Sequence, residues 1–365
     1  MLNLTEDIKI SAKKIKAVLH DPKKSAQAIK LIYVHDKQPG ISRLKHGDNF
    51  CYYLNKKKLR DKATLDRIRK LAIPPAWECV WICHLENGHL QATGIDARQR
   101  KQYKYHSLWN NFRNHTKFYR LYEFGQAIPA IRRQLEKDLA KPGLPVEKVL
   151  ATVVSLMEQT SIRIGNSAYE KLYGSFGLTT LKDQHVKING DKMQFIFKGK
   201  KGIAHNISLK SKRLARIVKQ CRDIPGKELF QYYDHDGTHK AIDSGMVNDY
   251  LKAITGQDFT AKDFRTWVGT IQAINAFREI EAADTKTQIK KNIIQVLDTV
   301  AEHLGNTRTV CKKYYVHPVV IELYERQTLH DYLAKDDIIH TFEGAQRLNG
   351  EEKLLLHILE QEGLV

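Results

Sequence analysis

From Leu108 onward this chain repeats one theme and breaks it once. Residues 127–139, 146–159, 211–221, 244–253, 267–283 and 287–302 carry apolar side chains at helical spacing over helix-length windows. Between the second and third of these lies a single island of period two. Residues 185–188, 193–197 and 204–209 alternate, and Asn189-Gly190 is a tight-turn pair. The second connection of the island is Lys198-Gly199-Lys200-Lys201-Gly202, which puts three lysines on an exposed hairpin tip. Residues 351–359 read as a last amphipathic helix.

Ahead of residue 108 the pattern is mixed. Residues 1–30 read as a helical, basic leader, with Asp21 as a cap and Pro22 as a first helical residue. Phe50, Tyr52 and Leu54 alternate with their neighbours. Residues 63–71 have helical spacing and stop before Pro74-Pro75. Residues 77–83 and 89–93 read as strands joined by a turn at 86–88. The expected fold class is α+β: a small sheet-containing domain over 1–107, then a mainly helical domain over 108–365 with a small antiparallel sheet.

Charge narrows the partner. Lys and Arg number 60 against 41 acids, a formal charge of +19. That excess favours a polyanion, either nucleic acid or an anionic membrane surface. No apolar run approaches the roughly 18–20 residues of a membrane span, and the first residues lack the apolar core of a signal peptide. Nucleic acid is the expected partner. No GxxxxGK[ST] loop is present, so no nucleotide is expected. The five cysteines are scattered and odd in number, which fits free thiols in a reducing cytoplasm. Cys79, Cys83 and His84 have no second pair at zinc-finger spacing. The run Asp234-His235-Asp236-Gly237 lacks the spaced acids of a calcium loop and reads as a turn. Neither a metal nor a cofactor is expected.

Three cationic islands precede a tyrosine pair. TSIRIGN holds Arg163, FKGKKG holds Lys200, and KDFRTW, placed between helices, holds Arg265. LGNTRTVCKKYYVHP then carries Tyr314 and Tyr315 after a Gly305-Asn306 turn. Attack on a phosphodiester requires fixed cationic donors, a proton source for the leaving oxygen and a nucleophile. Two arginines, a lysine and a tyrosine supply all three without a metal. Each residue also has a plainer reading. The tyrosine can be half-buried packing, Arg163 solvated, Arg265 paired with Asp263, and Lys200 a solvated tip. RQRKQYKYH, residues 98–106, alternates aromatics with cations as a backbone-tracking surface does. An edge strand with tyrosines on one face gives the same pattern. Residues 187–219 contain ten Lys or Arg and one acid, Asp191, a second basic stripe.

TSIRIGNSAY, YGSFGLTTL, FKGKKG, AKDFRTW and LGNTRTVCKKYYVHP, in this order, resemble the type IB DNA topoisomerases in the compact form of bacteria and poxviruses. The resemblance runs from about Tyr33 to Glu325. It implies a catalytic domain of the topoisomerase IB and tyrosine recombinase type, and two lobes that close as a clamp on supercoiled duplex DNA. It implies Tyr315 as nucleophile, nine residues after Asn306, with Tyr314 one residue early. Arg163 and Arg265 take the place of the family's transition-state arginines, and Lys200 that of the lysine that protonates the leaving 5′ oxygen, with Lys201 as runner-up. Gln102, Tyr103 and Tyr105 match family residues that contact DNA, and Arg98, Lys187 and Lys201 join them as candidate contacts. The turn residue is commonly His. Asn306 can donate a hydrogen bond to a phosphate oxygen but carries no charge and shuttles no proton. The implied enzyme needs neither ATP nor metal, works as a monomer, and sits with the nucleoid in the cytoplasm. Two rivals stay open. A tyrosine recombinase usually has His where this chain has Lys262, and usually has a helical front domain. A non-catalytic DNA binder would share the charge alone.

Overall fold

The computed structural model describes residues 2–364 apart from Glu6, Asp7, His20, Asp48, 97–100, His235, Ala282, Asp284 and 335–339. The chain divides into two compact units, Met1–Tyr119 and Arg120–Val365.

The first unit is built on a six-stranded antiparallel sheet. Its order is Lys57–Lys58, Asn49–Leu54, Ile41–His46, Glu78–Ile82, Leu90–Ile95 and Lys101–Tyr105. Ile41, Val80, Ile82 and Ala92 pack with Ile68 of the Lys62–Lys70 helix, which Asp61 caps. A second core joins Ile10, Ile15, Ala26, Ile29 and Leu31 to Trp109 and Phe112. Those two aromatics lie on the Ser107–Tyr119 helix, so this helix belongs to the first unit. The boundary therefore falls after Tyr119, not after Ser107. The leader also differs from its sequence reading. Leu2–Thr5 and Ile8–Ile10 pair antiparallel before the Ala12–Val18 and Pro22–Ala28 helices. Leu2, Leu4, Ile8 and Ile10 have the alternation of strands, a period masked by the lysines that follow. Asp21 does cap its helix, accepting from the amides of Lys23 and Lys24 with Pro22 in the first turn.

The second unit packs its helices around one core. The Val146–Thr160 helix is buried along most of its length, and Phe124 meets Phe259, Phe264 and Trp267 edge to face. The helix expected from residue 127 runs from Leu121 to Ala140. Gly125 and Pro129 obscured its start. Gly125 is needed there, because a Cβ would lie 2.4 Å from the Trp267 ring. The Ala261–Arg278 helix also begins earlier than residue 267, because Thr260 and Asp263 form a reciprocal capping box. Arg265 therefore sits on a helix, not between helices, and the Asp263 carboxylate serves Thr260.

The period-two island forms a three-stranded antiparallel sheet, ordered Ala204–Lys210, Lys192–Lys198, Val186–Asn189. Met193, Phe195 and Phe197 point into the core, while Lys187, Lys192, Lys198 and Lys210 are exposed. The tip, Lys200–Gly202, is a single exposed turn. No helix among the described residues is long and apolar enough to cross a membrane.

Candidate active site

The site lies within the second unit and begins where the Val146–Thr160 helix ends. Ser161 closes that helix in the left-handed conformation, with φ +56°, and Arg163 follows on an irregular stretch. The stretch is held by the next motif of the chain. Leu178 N donates to the Arg163 carbonyl at 2.8 Å, and Thr179 N donates to that of Ile164. A Cβ on Gly177 would lie 2.6 Å from Gly165, so the two glycines permit this close crossing. RIGN and YGSFGLTTL are thus two sides of one structure.

Arg163 donates from Nη2 to the Gly305 carbonyl at 3.0 Å and to Asn306 Oδ1 at 2.9 Å. Arg265 is 6% exposed. It donates from Nη1 to the Ser161 carbonyl and from Nη2 to the Leu304 carbonyl, both at 2.7 Å. These acceptors are all neutral. The Arg265 Nε is buried and has no partner among the described residues. Burial, reinforced by the charge of Arg265, pulls the Arg163 guanidinium down to about 10. Among the described residues no carboxylate bonds to either of these two desolvated guanidiniums, which leaves a local excess of positive charge. A phosphate would offset it, and Arg's planar fork suits two phosphate oxygens.

Tyr315 closes the Arg308–Tyr314 helix, its amide bonded to the Cys311 carbonyl at 2.9 Å. Its ring lies under Arg265, with the guanidinium carbon 5.0 Å from the ring centroid, and its phenol interacts with Arg163. The backbone is fixed from the Ala261–Arg278 helix. Thr270 Oγ1 accepts from the His317 amide at 3.1 Å, and its one proton lies between the Thr266 carbonyl at 2.8 Å and the Tyr315 carbonyl at 3.3 Å. Burial takes His317 down to about 3, so it is a neutral helix cap for Val319.

Arg163, Arg265, Tyr315, Lys200 and Lys201 line one cavity of about 640 Å³, with Lys262, Tyr173 and Phe176 on its wall. A smaller cavity of about 90 Å³ adds Asn306 to Arg163, Lys200, Lys201 and Tyr315. All five candidate catalytic residues therefore converge, and both tip lysines reach the site. Tyr314 lines neither cavity and carries Lys313 over its ring.

Sequence reasoning passed over two residues here. His205 stacks on Phe197 and is wedged between the lysine tip and the Asn306 turn. A Cβ on Gly199 or on Gly305 would lie 2.6 Å from its ring. Burial, then Arg163 and Arg265, hold its imidazole below the ordinary value. A lone His on a strand gives no signal of this in the sequence. Gly269 is the second, since a Cβ there would lie 2.7 Å from the Tyr315 carbonyl. A glycine inside a helix is a readable hint of close packing.

The candidate DNA contacts fall in two places. Tyr103 and Tyr105 stand exposed on the edge strand of the first unit, 48% and 39%, with rings stacked at 6.0 Å. Gln102 donates to the Asp96 carboxylate at 2.9 Å. Arg98 lies outside the described residues. Lys187 is exposed on the basic face of the three-stranded sheet, outside both cavities. Among the described residues no three His, Cys, Asp or Glu side chains gather as a metal-binding group.

A family model described as eukaryotic DNA topoisomerase I, catalytic core, matches residues 105–337, and one described as bacterial DNA topoisomerase IB, N-terminal domain, matches residues 49–96. The chain belongs to the type IB DNA topoisomerases and is an isomerase of that class. Among its relatives, DNA topoisomerase 1B of Acanthamoeba polyphaga mimivirus is 34% identical over 296 residues, covering 78% of this chain and 88% of that protein. DNA topoisomerase I of Monkeypox virus and DNA topoisomerase 1B of Vaccinia virus are each 24% identical over 247 residues, covering 66% of this chain and 74% of theirs.

Proposed function

We propose that this enzyme relaxes supercoiled duplex DNA by cutting one strand with Tyr315 and rejoining it, with no ATP and no metal. The observation that carries the reading is the convergence of Tyr315, Arg163, Arg265 and Lys200 on one cavity, with both arginines bonded to neutral acceptors. The Tyr315 oxygen attacks phosphorus and releases its proton to solvent. A 3′-phosphotyrosyl bond forms as the bond to the 5′ oxygen breaks. Lys200 supplies the proton that makes this oxygen a neutral hydroxyl. The arginines hold the non-bridging oxygens as negative charge grows, which is where fixed donors lower the barrier most. Asn306 adds one neutral hydrogen bond and turns Arg163 toward the site. The covalent link conserves the energy of the broken bond, so the reverse step reseals the strand without a nucleotide.

The exposed basic face carrying Lys187, Lys192 and Lys198, and the stacked Tyr103 and Tyr105, are read as surfaces that track the DNA backbone, the protein acting as a monomer. Incubation with supercoiled plasmid, with EDTA present and ATP absent, tests the reading. Conversion to a ladder of relaxed topoisomers is expected. A plasmid that is retarded on the gel but keeps its supercoils would refute it.

A further inference from the structure

Two chain segments supply the acceptors that orient both arginines. The first is Ser161, whose carbonyl accepts from Arg265. The second is the end of the Lys286–Leu304 helix and its turn, where Leu304 accepts from Arg265, and Gly305 and Asn306 accept from Arg163. Besides the arginines, a side-chain bond joins the segments: Ser161 Oγ lies 3.2 Å from Nε2 of His303, the residue before Leu304. Ser161 also holds a left-handed conformation, with φ +56°, that a side chain other than glycine rarely adopts. A non-glycine residue persists in such a conformation when its surroundings fix it, and the bond to His303 is such a fixture.

We propose that Ser161 and His303 are a positioning pair that sets the spacing of Arg163 and Arg265 across the scissile phosphate. The proposal rests on the reading of those arginines as the cations of strand cleavage. Neither Ser161 nor His303 lines the cavity that holds Tyr315. They act through the carbonyls they hold in place. His303 instead lines a second cavity of about 620 Å³ on the other side of the Ala261–Arg278 helix start, together with Ser161, Phe264 and Trp267.

The groups facing His303 define when the pair holds. From the Ala261–Arg278 helix, Arg265 presents its charge. Across the second cavity stand Arg132, Glu136, Glu158, Arg347 and Glu352. Those five are already engaged with one another: Arg132 donates to Glu158 and Glu352, and Arg347 to Glu136. Burial and then Arg265 hold the His303 imidazole below its ordinary value. The neutral ring is therefore the form present at neutral pH, and it keeps its bond to the Ser161 hydroxyl. Acid places a third cation beside the two guanidiniums and makes Nε2 a donor to the Ser161 hydroxyl, so it is repulsion from Arg265, not loss of the hydrogen bond, that loosens the pair. Positioning is present at neutral pH and lost as pH falls below the ordinary histidine range, about 6.5.

The test is single-turnover formation of the covalent DNA adduct between about pH 5 and pH 8, with equilibrium DNA binding and thermal melting measured alongside. Ser161→Gly fits the left-handed backbone and removes the CH2OH side chain that reaches His303. His303→Ala removes the ring. Both should slow adduct formation roughly 10- to 100-fold at neutral pH, the scale of a sub-ångström misplacement, with DNA affinity unchanged. His303→Gln keeps a donor and an acceptor but does not titrate. It should recover most of the rate and lose the fall on the acid side that wild type shows. Wild-type cleavage by Ser161→Gly would overturn the proposal, as would a His303→Gln variant with the wild-type acid fall. Loss of rate, affinity and melting temperature together in His303→Ala, without recovery in His303→Gln, would assign the pair to stability alone. A wild-type enzyme that forms no adduct would instead refute the underlying reading of the site.

Discussion

Gly269 offers the sharpest test of how tightly the nucleophile is held. A Cβ at this position would lie 2.7 Å from the Tyr315 carbonyl oxygen, and 3.1 Å from both Tyr315 Cβ and Leu304 Cδ1. Leu304 can yield by rotating its side chain. The carbonyl has less freedom, because the Tyr315 amide is tied to the Cys311 carbonyl and the His317 amide to Thr270 Oγ1. Ordinary contact begins at 3.4 Å, so Gly269→Ala must move the Tyr315 backbone by about 0.7 Å relative to the helix that carries Arg265. A 1 Å misplacement costs about 10²-fold in rate, so this shift should slow cleavage roughly 10- to 30-fold. Stability should change little. Alanine gains up to about 1 kcal/mol of helix propensity over glycine, against about 1–3 kcal/mol for overpacking. The assay is single-turnover adduct formation on a short duplex whose cleaved end dissociates, with DNA binding and melting as controls. A Gly269→Ala enzyme that cleaves within twofold of wild type would refute the idea that the helix contact places the nucleophile.

The other expectations follow the roles of the cations. Lys200→Ala should slow cleavage severely, and a substrate with sulfur in place of the leaving 5′ oxygen should largely restore it, because a thiolate departs without a proton; absence of rescue on single-turnover gels would remove Lys200 as the acid. Arg163→Ala and Arg265→Ala should each lose about 10²–10³-fold and gain nothing from sulfur, read in the same assay. If about 6–10 phosphates are bound, log affinity should fall with log salt at a slope near −5 to −9. Neutralising Lys187 or Lys192 should make that slope shallower by about one for each phosphate no longer bound, and a slope near zero in a salt titration would show that the basic face binds no phosphate.

The sequence carried much of this architecture because its local signals agreed with the fold. The lysine tip was legible since period-two segments flank it and Asn189-Gly190 fixes the preceding turn. Asp21-Pro22 was legible as a cap because its chemistry is local. The failures came from tertiary packing. Gly125 and Pro129 look like helix breakers until the Trp267 ring is seen to need the space at Gly125. The start of the Arg265 helix was hidden behind polar residues, although Thr260 and Asp263 spell its capping box. Four of the five catalytic candidates were read as three cations and a tyrosine in order along the chain, and Asn306 from the turn before the tyrosine. Their supports were not, since His205, Ser161 and His303 acquire meaning only when strands and helix ends distant in sequence meet. Arg265 was open to pairing with Asp263 until the cap claimed that carboxylate.

The central claim is that Tyr315 forms the bond to DNA. It is tested most directly by digesting the covalent adduct and locating the nucleotide by mass spectrometry, with Tyr315→Phe run beside it. The account predicts a 3′-phosphate-linked nucleotide on Tyr315 in the wild-type digest. It also predicts that Tyr315→Phe binds the duplex with wild-type affinity and leaves no adduct on a denaturing gel. A nucleotide on Tyr314, or an adduct trapped by Tyr315→Phe, would contradict it.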